Sequence, residues 1–301
     1  MSRPSPVPPR PSSNPPRRIR TPVLMLHHVE PAPLAPPPDH PDSYLTPKQL
    51  EVLLDILDRG GFRTLTLAEA ARLWHRGRTP PRRSVVLTFD DGCRCFLDHA
   101  LPLLAARGHT ATLFALAGKL GGTDDWDAAD DAEDGPTGRR ETLLTAEELR
   151  QVAGTDLAGT DPAGTDPAGT DPADRHIEIG CHGFAHRSLP ESSDAELVRE
   201  TAGARAELER VLGRPVRTFC YPWGRSGPRV RAAVRAAGFL AAAGIEDHPG
   251  AALDDPWGLP RTTLRPGDSR FETWLKVSGW YRWWKRLPRF GLLAALRRRK
   301  G

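Results

Sequence analysis

Short runs of apolar residues alternate along this chain with longer stretches in which apolar residues recur at helical spacing. The apolar runs at 22–29, 64–67, 84–89, 110–116, 177–181, 216–221 and 239–244 predict strands buried on both faces. Helices are predicted between them, over 46–60, 68–74, 96–106, 145–152, 193–212 and 229–237. Local signals mark several ends. Thr46 stands at an N-cap with Pro47 in the first turn, Gly60-Gly61 stops that helix, and Thr145 and Glu148 keep capping-box spacing. Strands alternating with helices imply parallel pairing through right-handed crossovers, and motifs at strand C-terminal ends then converge on one face. The expected class is α/β, a β/α barrel.

Three stretches fall outside this rhythm. Residues 1–20 are rich in Pro, Ser and Arg and read as a disordered arm. Residues 153–172 hold four copies of Ala-Gly-Thr-Asp at a five-residue period, which fits neither helix nor strand. A flexible surface insertion over 153–174 is expected there. Residues 280–301 carry eight Lys/Arg, no acidic residue, and Trp280, Tyr281, Trp283, Trp284 and Phe290. They read as a basic aromatic tail with a short amphipathic helix at 290–296. One catalytic domain is therefore expected over 21–279.

Composition narrows the function classes. A chain of 301 residues with 39% hydrophobic content can bury one large core. The net charge of +4 gives no global electrostatic case for nucleic acid, and none is expected as partner. Four cysteines, Cys93, Cys95, Cys181 and Cys220, are too few for a disulfide scaffold and read as free thiols in small core positions. The first residues show no apolar h-region, and no run is long enough to span a bilayer. The expectation is a cytoplasmic protein, with its tail in contact with the inner membrane face.

Two segments carry chemistry. Asp90-Asp91-Gly92 follows the strand at 84–89 and puts two carboxylates at a strand end, where Gly92 permits a turn. His182 and His186 follow the strand at 177–181. A carboxylate and two neutral imidazoles make an open three-ligand site for a divalent metal, and the other carboxylate can activate water. Trp126, in a Gly/Asp-rich loop after a strand, is suited to stack on a sugar ring, and so is Trp223.

Thr88-Phe89-Asp90-Asp91-Gly92 and His182-Gly183-Phe184-Ala185-His186 resemble the first two signatures of the polysaccharide deacetylases, the NodB-homology group of carbohydrate esterase family 4. Thr112-Leu113-Phe114 matches the strand between them, and Phe219-Cys220-Tyr221-Pro222-Trp223-Gly224 resembles the third motif. The resemblance runs from about residue 22 to 279. It implies a distorted (β/α) barrel, a divalent metal, most often zinc, and removal of acetyl groups from N-acetylated sugars of a polysaccharide or glycan precursor. By motif position it makes Asp90 the catalytic base and Asp91, His182 and His186 the metal ligands. It also makes the backbone N–H of Tyr221 an oxyanion donor, in the substrate-binding set with Trp223 and Trp126.

Two departures matter. Cys220 holds the position where many members carry an arginine beside the base, and Arg261 is the candidate to replace it. The late Leu-x-His motif is not evident, and His27, in Leu24-Met25-Leu26-His27, is the candidate for its role, with His248 a weaker one. Two other readings stay open: an O-acetyl esterase on the same fold, and a catalytically silent carbohydrate-binding homologue.

Overall fold

The computed structural model describes residues 21–31, 44–127, 140–155, 177–245 and 255–285. The expected arm at 1–20, nearly all of the repeat insertion, His248 and the helix expected at 290–296 lie outside the described residues. Ten strands are described: β1 (Val23–Leu26), β2 (His28–Val29), β3 (Tyr44–Leu45), β4 (Arg63–Leu65), β5 (Ser84–Phe89), β6 (Thr112–Ala115), β7 (Glu178–Cys181), β8 (Thr218–Cys220), β9 (Ala241–Ile245) and β10 (Leu259–Thr263). Seven of them close a ring in the order β1, β5, β6, β7, β8, β9, β10 and back to β1. Every pairing in that ring is parallel; at the closure Leu24 faces Leu87 on one side and Thr262 on the other. The expected (β/α) barrel is therefore the fold. β4 pairs in parallel with the N-terminal half of β5, Leu65 facing Val86, while β2 and β3 form a separate small pair.

The described α-helices are α1 (Pro47–Gly60), α2 (Leu67–His75), α3 (Leu101–Ala106), α4 (Ala146–Gly154), α5 (Asp194–Val198), α6 (Ala204–Leu212), α7 (Pro228–Ala236), α8 (Arg270–Ser278) and α9 (Tyr281–Trp284). Capping boxes start α1, α2, α4, α5 and α8, each with Ser or Thr at the N-cap and Gln or Glu three residues on. The helix expected over 193–212 is interrupted by a wider π turn at Arg199–Gly203. The strand expected over 22–29 breaks at His27, so that β1 ends at Leu26 and His27 stands on the barrel rim. β10 was not among the strands expected from hydrophobic pattern, because its sequence Leu-Pro-Arg-Thr-Thr shows no apolar run.

The strands of the barrel divide their side chains between two cores. Val85, Leu87 and Phe89 of β5 point outward and pack with α1 and α3 residues such as Leu50, Leu53 and Leu104. Val86 points inward, with Val23, Phe114, Cys220, Ala241, Ala243 and Leu259. The N-terminus of α2 plugs the end opposite the chemistry. There the buried Glu178 carboxylate accepts from Ala68 N–H, Thr112 Oγ1 and Thr218 Oγ1 at 2.6–2.9 Å. A buried carboxylate with three donors, one of them at a helix N-terminus, is satisfied without a cationic partner.

Above that plug the barrel narrows around Phe114. Its ring occupies the space that Gly180 leaves open: a Cβ at Gly180 would lie 2.5 Å from the ring. Gly180→Ala is expected to force Phe114 and β7 apart and destabilise the fold by about 1–3 kcal/mol. Urea unfolding measures this, and an unchanged midpoint would show that the barrel has slack at this layer.

Candidate active site

β5 delivers Asp90 and Asp91 to the rim, and the chain turns sharply there. Asp91 and Gly92 both adopt positive φ, 70° and 72°. That turn sends the two carboxylates in different directions, which an extended strand could also do only by placing one outside the barrel. Leu26 O accepts from Asp90 N–H at 3.1 Å, tying the turn to β1.

Asp90 is buried and gripped by Arg261 of β10. The guanidinium donates from Nη1 to Oδ1 at 2.6 Å and from Nη2 to Oδ2 at 2.7 Å. Its remaining donors go to Thr88 Oγ1 and to Gly244 O, both at 3.0 Å. Thr88 Oγ1 in turn donates to Leu24 O. This is a fork-on-carboxylate pair, with four of the five guanidinium N–H groups engaged in these contacts. Burial pushes the Asp90 carboxyl up, but the Arg261 charge and hydrogen bonds outweigh it and hold the pKa below the usual carboxylate range. The Cys220 thiol lies 3.7 Å and 3.8 Å from the two Asp90 oxygens, in the place that its motif position implied. His27 approaches from β1, its Nε2 3.6 Å from Asp90 Oδ2. Burial lowers its pKa, only partly opposed by Asp90 and Asp91, so His27 rests neutral. His27 Nδ1 is a buried nitrogen without a hydrogen-bond partner in the structure.

Asp91 turns the other way, toward the two histidines. Its Oδ1 is 3.3 Å from His182 Nε2 and 3.6 Å from His186 Nε2. Nδ1 of His182 pairs with Cys220 O at 2.9 Å, which places a proton on Nδ1 and aims Nε2 at Asp91. His186 has no such hydrogen bond on Nδ1. Its ring is instead wedged between Trp126, with centroids 4.4 Å apart, and Trp223, at 4.8 Å. His186 and Trp223 both sit at positive φ, 57° and 59°. Three of the four non-glycine residues with positive φ among the described residues therefore belong to this site.

Three donor atoms converging within 4.8 Å fit a divalent cation. Asp91 Oδ1 is itself a buried oxygen with no hydrogen-bond partner, an orphan that a cation would satisfy. Burial pushes the Asp91 carboxyl up, yet the two imidazoles outweigh it and keep it ionised. Burial drives the His186 pKa down to about 3, leaving a neutral ligand. For His182 burial is outweighed by Cys220 and the carboxylates, so its pKa rises well above the ordinary value. Two other donor groups exist among the described residues, His28 with Asp91 and Cys93, and Asp90 with His182 and Cys220. The second is weakened as a ligand set because Arg261 already occupies both Asp90 oxygens.

The segment that carries the histidines is anchored by a residue the sequence reading passed over. Glu200, buried in the π turn before α6, accepts from Phe184 N–H at 2.7 Å and Ala185 N–H at 3.1 Å. Gly183 lies against it, and a Cβ there would come within 2.8 Å of its Oε2. The available signal was an acidic residue in the middle of a helix with apolar neighbours at helical spacing. One expectation is corrected. The Tyr221 N–H does not face the site as an oxyanion donor; it donates to Ala243 O at 3.0 Å in the β8–β9 ladder. The Tyr221 ring is fully buried and its hydroxyl donates to Trp257 O at 2.7 Å. Tyr221 is thus a packing residue under the third motif. All four cysteines are free and buried.

A family model for polysaccharide deacetylases matches residues 77–242, over half of the chain, and the chain belongs to that family. Its members are carbohydrate-active hydrolases, and the matched span contains both the carboxylate pair and the histidine pair. YxkH of Bacillus subtilis (strain 168), assigned to the polysaccharide deacetylases, is 23% identical over 253 residues, 83% of this chain and 73% of that protein. Among solved structures, the Streptococcus pyogenes deacetylase PplD in complex with acetate superposes with TM-score 0.63 at 18% identity, covering 86% of this chain and 97% of that one. IcaB from Ammonifex degensii gives 0.60 at 21% identity, covering 87% and 97%. Both share the barrel described above.

The Arg261–Asp90 pair yields a pH prediction. A depressed Asp90 pKa contributes stability that is present above the unfolded carboxylate pKa and lost as pH falls through the lower folded value. Arg261→Ala is expected to cost about 3–5 kcal/mol at neutral pH, the effect of leaving a buried charge unpaired. It is also expected to raise the Asp90 pKa, moving the acid limb of kcat/KM to higher pH. Arg261→Lys, a point charge without the fork, should fall between the two. An acid limb unmoved in both variants would show that Asp90 is not the group titrating in turnover.

Proposed function

We propose that this protein removes acetyl groups from N-acetylated sugars of a polysaccharide or glycan precursor, with a divalent cation, zinc being the best match to one carboxylate and two imidazoles, held by Asp91, His182 and His186. The observation that carries the reading is the split between adjacent carboxylates: Arg261 locks Asp90 as an ionised base, while Asp91 faces two imidazoles with an orphaned oxygen. When bound there, the cation supplies Lewis-acid polarisation of the acyl carbonyl and acidifies water. The chain's own residues do the rest. Asp90, ionised at neutral pH, accepts the proton of the attacking water. His27 Nε2, 3.6 Å from Asp90 Oδ2, is the neighbouring group that passes that proton on. The leaving sugar nitrogen takes it as the carbon–nitrogen bond breaks, and the second proton of the water passes from the new carboxyl group to the amine, so that acetate and an ammonium group are released. Trp126 and Trp223, half-buried on either side of His186, form the walls against which a sugar ring can stack.

N-acetyl rather than O-acetyl cleavage is favoured by the placement of His27. An amine is a poor leaving group unless protonated, and His27 brings a second proton-carrying group beside the base. The silent-homologue reading was motivated by a missing arginine and a missing acid. Arg261 and His27 now stand in contact with Asp90, which removes that motive. The acetate in the Streptococcus pyogenes structure is the product that this reaction would release.

Acetate release from chitooligosaccharides, poly-N-acetylglucosamine fragments, acetylxylan and lipid-linked N-acetylhexosamines tests the proposal. Wild-type protein is expected to act on an N-acetylated member, to lose activity with a chelator and regain it with zinc. Asp90→Asn should lower kcat at least about 100-fold, the usual contribution of a positioned base, with metal binding intact. Release from acetylxylan alone would move the assignment to an esterase. No release from any substrate, with one equivalent of metal bound, would contradict the reading.

A further inference from the structure

Five large hydrophobic side chains are exposed among the described residues, and four of them lie on α8 and the turn and helix that follow: Phe271 at 57%, Trp274 at 43%, Trp280 at 56% and Trp283 at 57%. Their rings form two groups. Phe271 stacks on Trp274 with centroids 6.1 Å apart and meets Trp284 edge-on at 6.2 Å, and Trp280 packs edge-on against Trp283 at 5.8 Å. The barrel does not need these rings. α8 is anchored by its other face, where Thr273, Leu275 and Val277 are buried and Lys276 Nζ donates to Thr263 O at 2.8 Å and to Asp268. A surface helix ordinarily shows polar residues on the face away from the core, and here that face is aromatic.

Charge selects the occupant. From Trp280 to the C-terminus the chain has eight Lys/Arg and no acidic residue. That exceeds the net charge of +4 for the whole chain, so the residues before it are together net acidic. Two of the eight, Arg282 and Lys285, are among the described residues beside the exposed rings, so a second copy of this surface would meet charge of its own sign, and the rest of the chain's tail is basic in sequence as well. An anionic surface is the complement. Tryptophan, with its apolar ring and polar N–H, is suited to the headgroup level of a bilayer, and Lys and Arg to anionic lipid there. No helix of the described residues is long and apolar enough to cross a membrane.

We propose that the Phe271–Trp284 surface seats the barrel on an anionic lipid bilayer, as a peripheral contact. α8 follows the C-terminal end of β10, and Tyr281 and Arg282 lie beside residues 21–23 at the start of β1, so the aromatic face runs down the side of the barrel away from the catalytic rim. The contact does not depend on the reaction assigned above.

Sedimentation of the full chain with vesicles of phosphatidylcholine, with and without phosphatidylglycerol, tests it. Wild type is expected to co-sediment with the anionic vesicles at least about tenfold more tightly than with the neutral ones, and to be released by high salt. The triple variant Trp274→Ser/Trp280→Ser/Trp283→Ser should lose at least about tenfold in binding while keeping its circular dichroism and its activity on a soluble substrate. Replacing Arg297, Arg298, Arg299 and Lys300 by Gln, with the indoles intact, should remove the preference for anionic lipid. Absence of binding, equal binding to both vesicles, or binding unchanged in the triple variant would overturn the proposal. So would a dimer in sedimentation velocity that the triple variant abolishes, without vesicle binding, since the surface would then belong to a second copy.

Discussion

The site rests on one buried ion pair. Arg261 and Asp90 are 171 residues apart in sequence, on strands separated by β1 at the closure of the ring, and the guanidinium meets both carboxylate oxygens. A buried carboxylate next to two more potential anions would otherwise take up a proton. With the fork in place it stays ionised and stays still. The same pair decides the roles of its neighbour: because both Asp90 oxygens are taken, Asp91 is the carboxylate free to face the histidines. Two chemically identical side chains, adjacent in sequence, are given different jobs by one cation from another strand.

That division also needs backbone that ordinary residues avoid. Asp91, His186 and Trp223 all hold positive φ, each costing on the order of 1 kcal/mol. They persist because the strands beneath them are fixed by barrel hydrogen bonds and by an apolar core on both faces. Gly183 and Glu200 show the same economy in the histidine loop, where a missing Cβ lets a buried carboxylate hold two successive backbone N–H groups. The rigid parts of the fold thus hold the strained ones, and the strained ones aim the side chains.

Much of this was legible in the sequence, and the rest was hidden for physical reasons. Strands such as Ser84–Phe89 announced themselves because a strand buried on both faces has to be apolar throughout. The two motifs could be placed on one rim because parallel strands share a direction. Arg261 could be named as a candidate, but its strand could not: Leu-Pro-Arg-Thr-Thr has neither an apolar run nor alternation. The break at His27 was marked only by the histidine pair that interrupts the apolar run. Tyr221 was misjudged because its motif position says nothing about whether its N–H is already used in a ladder. Glu200 and the outward face of α8 depend on which side of a helix meets the barrel, and spacing alone does not fix that.

The most direct test of this account is an anomalous difference map at the zinc edge from crystals of the full chain grown with zinc. The account predicts one strong peak at about 2.0–2.2 Å from Asp91, His182 Nε2 and His186 Nε2, with Arg261 still paired to Asp90. A peak held by Asp90, or by His28 and Cys93, or no peak in protein that is active without metal, would contradict it.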